Sequence, residues 1–182
     1  MVKRYILTGA PGSGKTTLLD ALRARGYTVV DEAATEVMAS QSALGIESPW
    51  TRPDFVDLIV TRQHAQRLTA DALDASVQFY DRSPLCTLAL ARFLDHPVTA
   101  TLAAEVDAVL REQLFEPAVF FVRLLGFIEP TLARRISYEE SEVFERVHEA
   151  VYRENGFDLV NVPVASVTDR VALIEAHVLR AR

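Results

Sequence analysis

The chain is 182 residues long, 49% hydrophobic and 24% charged, with a formal net charge of −6; that length allows one domain with a real core, and the acidic balance argues against broad binding to a nucleic-acid polymer or a membrane surface. No run reaches the ~20 apolar residues of a membrane span, and strand-like residues stand where a signal peptide would. The single cysteine, Cys86, has no partner for an internal disulfide, so a cytoplasmic location is expected.

In chain order, "KRYILT" (3–8) reads as a buried first strand. The next residues, "GAPGSGKTT", fit Gly-x-x-x-x-Gly-Lys-[Ser/Thr], with Gly9, Gly14, Lys15 and Thr16 in the fixed places. "KTTLLDALRAR" then puts Leu18, Leu19 and Leu22 on one helical face. The motif therefore lies between a strand and a helix, the context it requires. Gly9, Gly12 and Gly14 open backbone angles closed to other residues and let N–H groups approach phosphate oxygens. The helix aims its positive end at the same anion. The phosphate-binding set is Gly9, Gly12, Ser13, Gly14, Lys15, Thr16 and Thr17, with Lys15 reaching the β- and γ-phosphates and the Thr16 hydroxyl on Mg²⁺.

Further along, "GYTVV" is a short second strand and "ATEVMASQ" a helix, followed by a loop broken by Gly45, Pro49 and Pro53. A long helix begins near an Asp54 cap and carries Phe55, Leu58, Ile59, Arg62 and Leu68 at helical spacing. "VQFYD" (77–81) is the third strand, and the helix after it has Pro84 in its first turn. Another helix spans 98–115, "AVFFVRLL" is the fourth strand, and a helix opened by Ser137-x-x-Glu140 closes at Gly156. A fifth strand, "FDLVNVP", and a helix over 167–181 complete the chain. Strands alternating with helices predict an α/β fold: a P-loop three-layer sandwich with a five-stranded parallel sheet and helices on both faces. One unit over 1–182 is expected. The histidines His64, His96, His148 and His177 have no metal-ligand spacing and are expected at the surface or half-buried.

The residues that separate the classes of phosphate-loop protein lie at the strand ends. Asp81, closing the third strand, suits Mg²⁺ together with Thr16. Motor ATPases usually follow such a residue with a second acid that polarises water; Arg82 stands here and favours gripping a phosphate. Glu32, after the second strand, is placed to accept a proton from an attacking hydroxyl or to orient it, and its neighbour Asp31 suits either job. The base is left open among Asp31, Glu32 and Asp81. Arg134 and Arg135 lie in a connection able to fold over a triphosphate and spread its developing charge. Between 32 and 70, the residues Trp50, Arg52, Phe55, Arg62, Gln63 and Gln66 include an aromatic ring able to stack on a base and amides able to read its edge. No lysine follows Lys15, which removes the Asn-Lys-x-Asp guanine reader, and no Leu-Ser-Gly-Gly signature is present.

The layout resembles the small P-loop nucleoside and nucleotide kinases, and within them the AAA-28-type ATPase/kinase domains, which include ribosylnicotinamide-kinase-like domains. The resemblance rests on "GAPGSGKTTL", "VVDEAA", "SPW", "DRSPLCTLAL" and "YRENGFDLVNVP" followed by "VTDRVALI". It implies ATP·Mg²⁺ as donor, Arg82 near the transferred phosphate, Glu32 near the acceptor hydroxyl, an acceptor-binding region around 32–70 that holds Trp50, Arg52, Phe55, Arg62, Gln63 and Gln66, and a lid over about 124–140 bearing Arg134 and Arg135. The chain departs from such relatives at Thr35, where an arginine is frequent, and at Asp31, where an apolar residue or proline is common. The expected activity is phosphoryl transfer to a small molecule such as a nucleoside, nucleotide or nicotinamide riboside. The alternative is a regulatory ATPase acting on a protein partner. A homodimer is compatible with the sequence.

Overall fold

The computed structural model describes residues 2–125 and 137–180. Its sheet has five strands, β1 (Lys3–Thr8), β2 (Thr28–Val30), β3 (Val77–Asp81), β4 (Ala118–Val122) and β5 (Asp158–Val162). They run in the order β2-β3-β1-β4-β5 with every pair parallel. Seven α-helices are present among the described residues: α1 (Lys15–Ala24), α2 (Ala33–Ala43), α3 (Phe55–Asp71), α4 (Pro84–Phe93), α5 (Ala100–Arg111), α6 (Tyr138–Glu154) and α7 (Val167–Arg180). The three-layer α/β sandwich expected from the alternation is the fold.

Side chains alternate across the pleat, so each strand feeds two cores. Tyr5, Leu7, Phe79, Phe120 and Val122 face α1 and α7, meeting Leu18, Leu19, Leu22, Val171, Ile174 and Val178. Ile6, Tyr80 and Val119 point the other way, into α3, α4, α5 and α6, where Leu85, Leu102, Val151 and Tyr152 fill the space. A smaller cluster of Ala33, Val37, Phe55 and Ile59 joins α2 to α3. Helix α6 opens with both halves of a capping box, Ser137 on the Glu140 N–H and the Glu140 carboxylate on the Ser137 N–H.

Three local expectations change. Asp54 precedes α3 but makes no cap bond; its carboxylate is taken by Arg52, two residues away, at 2.8 and 2.9 Å. Leu68 lies off the buried stripe of α3 and is 54% exposed. The loop before α3 contains a single 3₁₀ turn at Pro49–Thr51, which brings Trp50 against the α2–α3 cluster.

The central strand β1 has its neighbours β3 and β4 on either side, and the chain leaves its C-terminal end through Gly9. That residue has φ +138°, and a Cβ there would stand 2.2 Å from the Val122 carbonyl oxygen at the end of β4. Gly156 also has positive φ, +79°, but nothing lies within 4 Å of its Cβ position. Gly156→Ala should therefore cost only backbone strain, about 1 kcal/mol. Gly9→Ala adds a backbone clash and should cost more than about 3 kcal/mol. Urea unfolding of the two variants measures the difference.

Candidate active site

The loop from Gly9 to Thr17 wraps the N-terminus of α1. Gly14 caps the helix in the left-handed region, φ 84° and ψ 21°, without a side-chain cap bond. The Leu18 N–H returns to the Gly14 carbonyl, so the first-turn N–H groups of Lys15, Thr16 and Thr17 precede the helical ladder. No acidic side chain stands in that first turn. Lys15 is buried, and its Nζ donates to the carbonyls of Gly9 at 2.9 Å and Ala10 at 3.0 Å and to Ser13 Oγ at 3.3 Å. Burial, then the charge of Arg82, lowers its ammonium to about 8. Thr16 and Thr17 are exposed beside it.

Asp81 ends β3, paired in register with Leu7 of β1. Its Oδ1 is buried and has no hydrogen-bond partner among the described residues. Burial raises its carboxyl to about 6 against the pull of Lys15, with Glu32 adding to the rise. An orphaned carboxylate oxygen held at this cost fits a hard, oxygen-seeking cation. Among the described residues no cluster of three or more His, Cys, Asp or Glu side chains offers a closed cage. Mg²⁺ bound through one carboxylate, one hydroxyl, phosphate oxygens and water needs none. The donor set of Asp81 and Thr16 therefore fits Mg²⁺.

The next residue, Arg82, is one of three non-glycine residues with positive φ among the described residues, at 75°. Its N–H holds the Leu7 carbonyl at 3.1 Å, and the turn sends its side chain back across the strand ends. There Nε donates to Glu32 Oε1 and Nη1 lies 3.3 Å from His148 Nε2. Its guanidinium carbon stands 6.0 Å from the centre of the Phe144 ring. Burial opposes the charges of both partners, and their pairing overcomes it. The Arg82 and Lys15 charges bring Glu32 down to about 2, while Glu32 holds Arg82 above the ordinary arginine value. Thr35 Oγ1 donates to the other Glu32 oxygen at 2.8 Å, so the position where relatives of this type often carry an arginine here orients the carboxylate. Asp31 turns away and pairs with Arg23 at the surface.

His148 is fully buried, which corrects the expectation that all four histidines lie at or near the surface. Its Nδ1 faces the Phe144 carbonyl at 2.9 Å; that contact puts the proton on Nδ1 and leaves Nε2 to accept from Arg82. Burial and the Arg82 charge lower its imidazolium to about 3, so the ring is neutral. Four residues on along α6, the Tyr152 hydroxyl meets Ser83 Oγ at 2.7 Å and Cys86 Sγ at 3.0 Å. Cys86 Sγ in turn reaches Thr8 Oγ1 at 3.2 Å. This buried chain ties α6 and α4 to the end of β1. Phe144, His148 and Tyr152 share one face of α6 through i, i+4 spacing, but a lone histidine on a capped amphipathic helix gave no sign of a catalytic neighbour.

Beyond the Glu32–Arg82 pair lies a cavity of about 540 Å³. Its wall is mainly apolar, with Met38, Trp50, Phe55, Ile59, Phe93 and Phe144, and its polar groups include Glu32, Arg82, Gln63 and Thr87. Thr87 Oγ1 lies 3.0 Å from Gln63 Oε1 and fixes the amide. Of the residues singled out between 32 and 70, Trp50, Phe55 and Gln63 line this cavity. Arg62 and Gln66 instead bind Glu36 of α2, and Arg52 is engaged with Asp54. Arg134 and Arg135 lie outside the described residues.

The sequence profile of the AAA domain family AAA_28 matches residues 4–170, and the chain belongs to that family. No curated protein matches the chain. Among solved structures, a deoxyadenosine kinase from M. mycoides with the products dCMP and dCDP superposes with a TM-score of 0.67 at 16% identity, covering 97% of this chain and 99% of that one. NadR in complex with NR gives 0.68 at 17% identity, over 96% of this chain and 50% of NadR. NadR with NAD and AMP-PNP gives 0.69 at 17%, over 96% of this chain and 49% of NadR. At these identities the likeness establishes the shared fold. Among the described residues no helix is long and apolar enough to cross a membrane.

Asp81 yields a linkage prediction. Its carboxyl is raised from 3.8 to about 6 in the fold, so the folded chain holds that proton more tightly than the unfolded chain. The group's stabilising contribution is present below about pH 4 and lost as pH rises through about 6. Asp81→Asn avoids the loss. Without nucleotide it should be more stable than the unsubstituted protein near pH 8 by about 1 to 3 kcal/mol and no more stable near pH 4. Urea unfolding at the two pH values checks this.

Proposed function

We propose that the chain is an ATP-dependent phosphotransferase that moves the γ-phosphoryl group to a hydroxyl of a small acceptor of nucleoside type. The observation that carries this reading is the Glu32–Arg82 pair standing between the phosphate loop and a 540 Å³ cavity. A cavity of that size with aromatic walls and a few fixed polar groups suits a planar base with its sugar. The deoxyadenosine kinase and NadR structures, solved with dCMP and NR respectively, support the same class.

The acceptor hydroxyl oxygen attacks the γ-phosphorus, the bond to the β,γ-bridging oxygen breaks, and ADP leaves with that electron pair. Loop N–H groups and Lys15 hold the phosphates, and Arg82 meets the charge growing on the transferred group. Thr16 and Asp81 would hold Mg²⁺, which would neutralise phosphate charge. Glu32 faces the acceptor side and is ionised at neutral pH, so it receives the hydrogen bond of the incoming hydroxyl and aims it. Its low basicity suits a loose transfer in which the proton leaves late. The engagement of Asp31 with Arg23 at the surface and the place of Asp81 beside the loop lysine support Glu32 as the acceptor's carboxylate. The segment bearing Arg134 and Arg135 is proposed as a lid over the donor.

ADP release from ATP·Mg²⁺, measured alone and with a panel of nucleosides, nucleotides and nicotinamide riboside, tests the reading. A large rise with one acceptor is expected, with Lys15→Ala as the inactive control. Steady hydrolysis indifferent to every acceptor would overturn it in favour of an ATPase serving a protein partner. Arg82→Ala should lower acceptor-dependent turnover about a hundredfold or more and basal hydrolysis far less; an equal loss in both would remove Arg82 from the transfer step.

A further inference from the structure

The last helix contributes a charge that phosphoryl transfer as described above does not use. Arg170, in the first turn of α7, is 3% exposed, the only buried arginine among the described residues. No carboxylate pairs with it among those residues. Its Nη2 donates to the Ser13 carbonyl at 3.0 Å, its Nη1 stands 3.2 Å from the position a Cβ on Gly14 would take, and its Nε is buried without a partner among the described residues. A guanidinium cannot shed its charge in a protein, and a buried cation held mainly by one carbonyl is unfavourable for folding. Its location accounts for its retention: it lies directly behind an anion-binding loop.

We propose that Arg170 is a positioning residue of the phosphate loop, holding the Ser13 carbonyl from behind so that the Gly14 N–H is aimed at a polyphosphate. The Ser13 C=O and the Gly14 N–H belong to one planar trans peptide and point in opposite directions. Drawing the carbonyl toward α7 therefore turns the N–H into the cradle. Helix α7 is itself anchored, because Val171, Ile174 and Val178 are buried with Leu18, Leu19 and Leu22 of α1. The loop's angle is thus set jointly by α1, which it opens, and by α7, more than 150 residues later in the chain. The guanidinium also adds positive charge behind the loop, which a bound polyphosphate compensates.

The inference rests on the loop binding a polyphosphate and is independent of which acceptor is used. The test is calorimetric binding of AMP-PNP with Mg²⁺ to the full chain, together with thermal unfolding without nucleotide, for Arg170→Met, Arg170→Lys and Lys15→Ala. Arg170→Met removes an unpaired buried charge, so its melting temperature should match or exceed that of the unsubstituted protein while its AMP-PNP affinity falls about tenfold or more. Arg170→Lys should recover part of that affinity. A purely structural role would instead lower the melting temperature and leave the affinity of the folded protein unchanged, which overturns the proposal. Should Arg170→Met fail to fold, Arg170→Lys decides: it keeps the charge but loses the fork, and an affinity equal to that of the unsubstituted protein overturns the positioning role. Loss of affinity in Lys15→Ala alongside an unaffected Arg170 variant sinks only this inference. An unaffected Lys15→Ala would remove the phosphate-loop reading itself.

Discussion

The site depends on the ion pair between Glu32 and Arg82. One partner follows β2 and the other follows β3, so the pair bridges two adjacent strand ends and fixes the wall between the phosphate loop and the cavity. Neither charge is well solvated there, and each makes the other tenable; removing one would leave the other exposed to the full desolvation cost. The pair also sets the protonation of its surroundings. The Arg82 charge keeps Glu32 ionised, and burial together with that charge keeps His148 neutral, so Arg82 retains an acceptor on each side.

Helix α6 completes this arrangement from the opposite face. Its capped N-terminus and its i, i+4 face place Phe144 and His148 against Arg82, and Tyr152 against Ser83 and Cys86. The positive φ of Arg82 makes the contact possible, because it turns the chain back at the end of β3. Strain of this kind persists where surrounding contacts over-determine it; here the Leu7 carbonyl, Glu32 and His148 all hold the residue. The Arg82 turn is thus held by several contacts, while the cavity beyond it is lined mainly by side chains without polar groups.

Cations converge on the loop from three separate parts of the chain: Lys15 from α1, Arg82 from β3 and Arg170 from α7. Among the described residues, Asp81 is the nearby carboxylate left with an unpartnered oxygen. A region that concentrates positive charge and one unsatisfied oxygen donor is costly by itself and becomes favourable when a polyanion and a hard cation enter together.

The sequence by itself determined the fold and the loop. Alternation of period 2 and period 3.6 is local, so five strands and seven helices could be read in order, with β3 at Val77–Asp81 as expected. The spacing from Gly9 to Thr16 is also local and sufficient for a phosphate cradle. The surroundings of Asp31, Glu32 and Asp81 were not local: the fold pairs Asp31 with Arg23 and Glu32 with Arg82, and leaves an Asp81 oxygen without a partner among the described residues. Tertiary structure alone brought His148, Phe144 and Arg170 to the site. Each lies on an amphipathic helix far along the chain, where periodicity shows which face is buried. What that face is buried against depends on the strand order β2-β3-β1-β4-β5 and on packing between residues 60 to more than 150 positions apart.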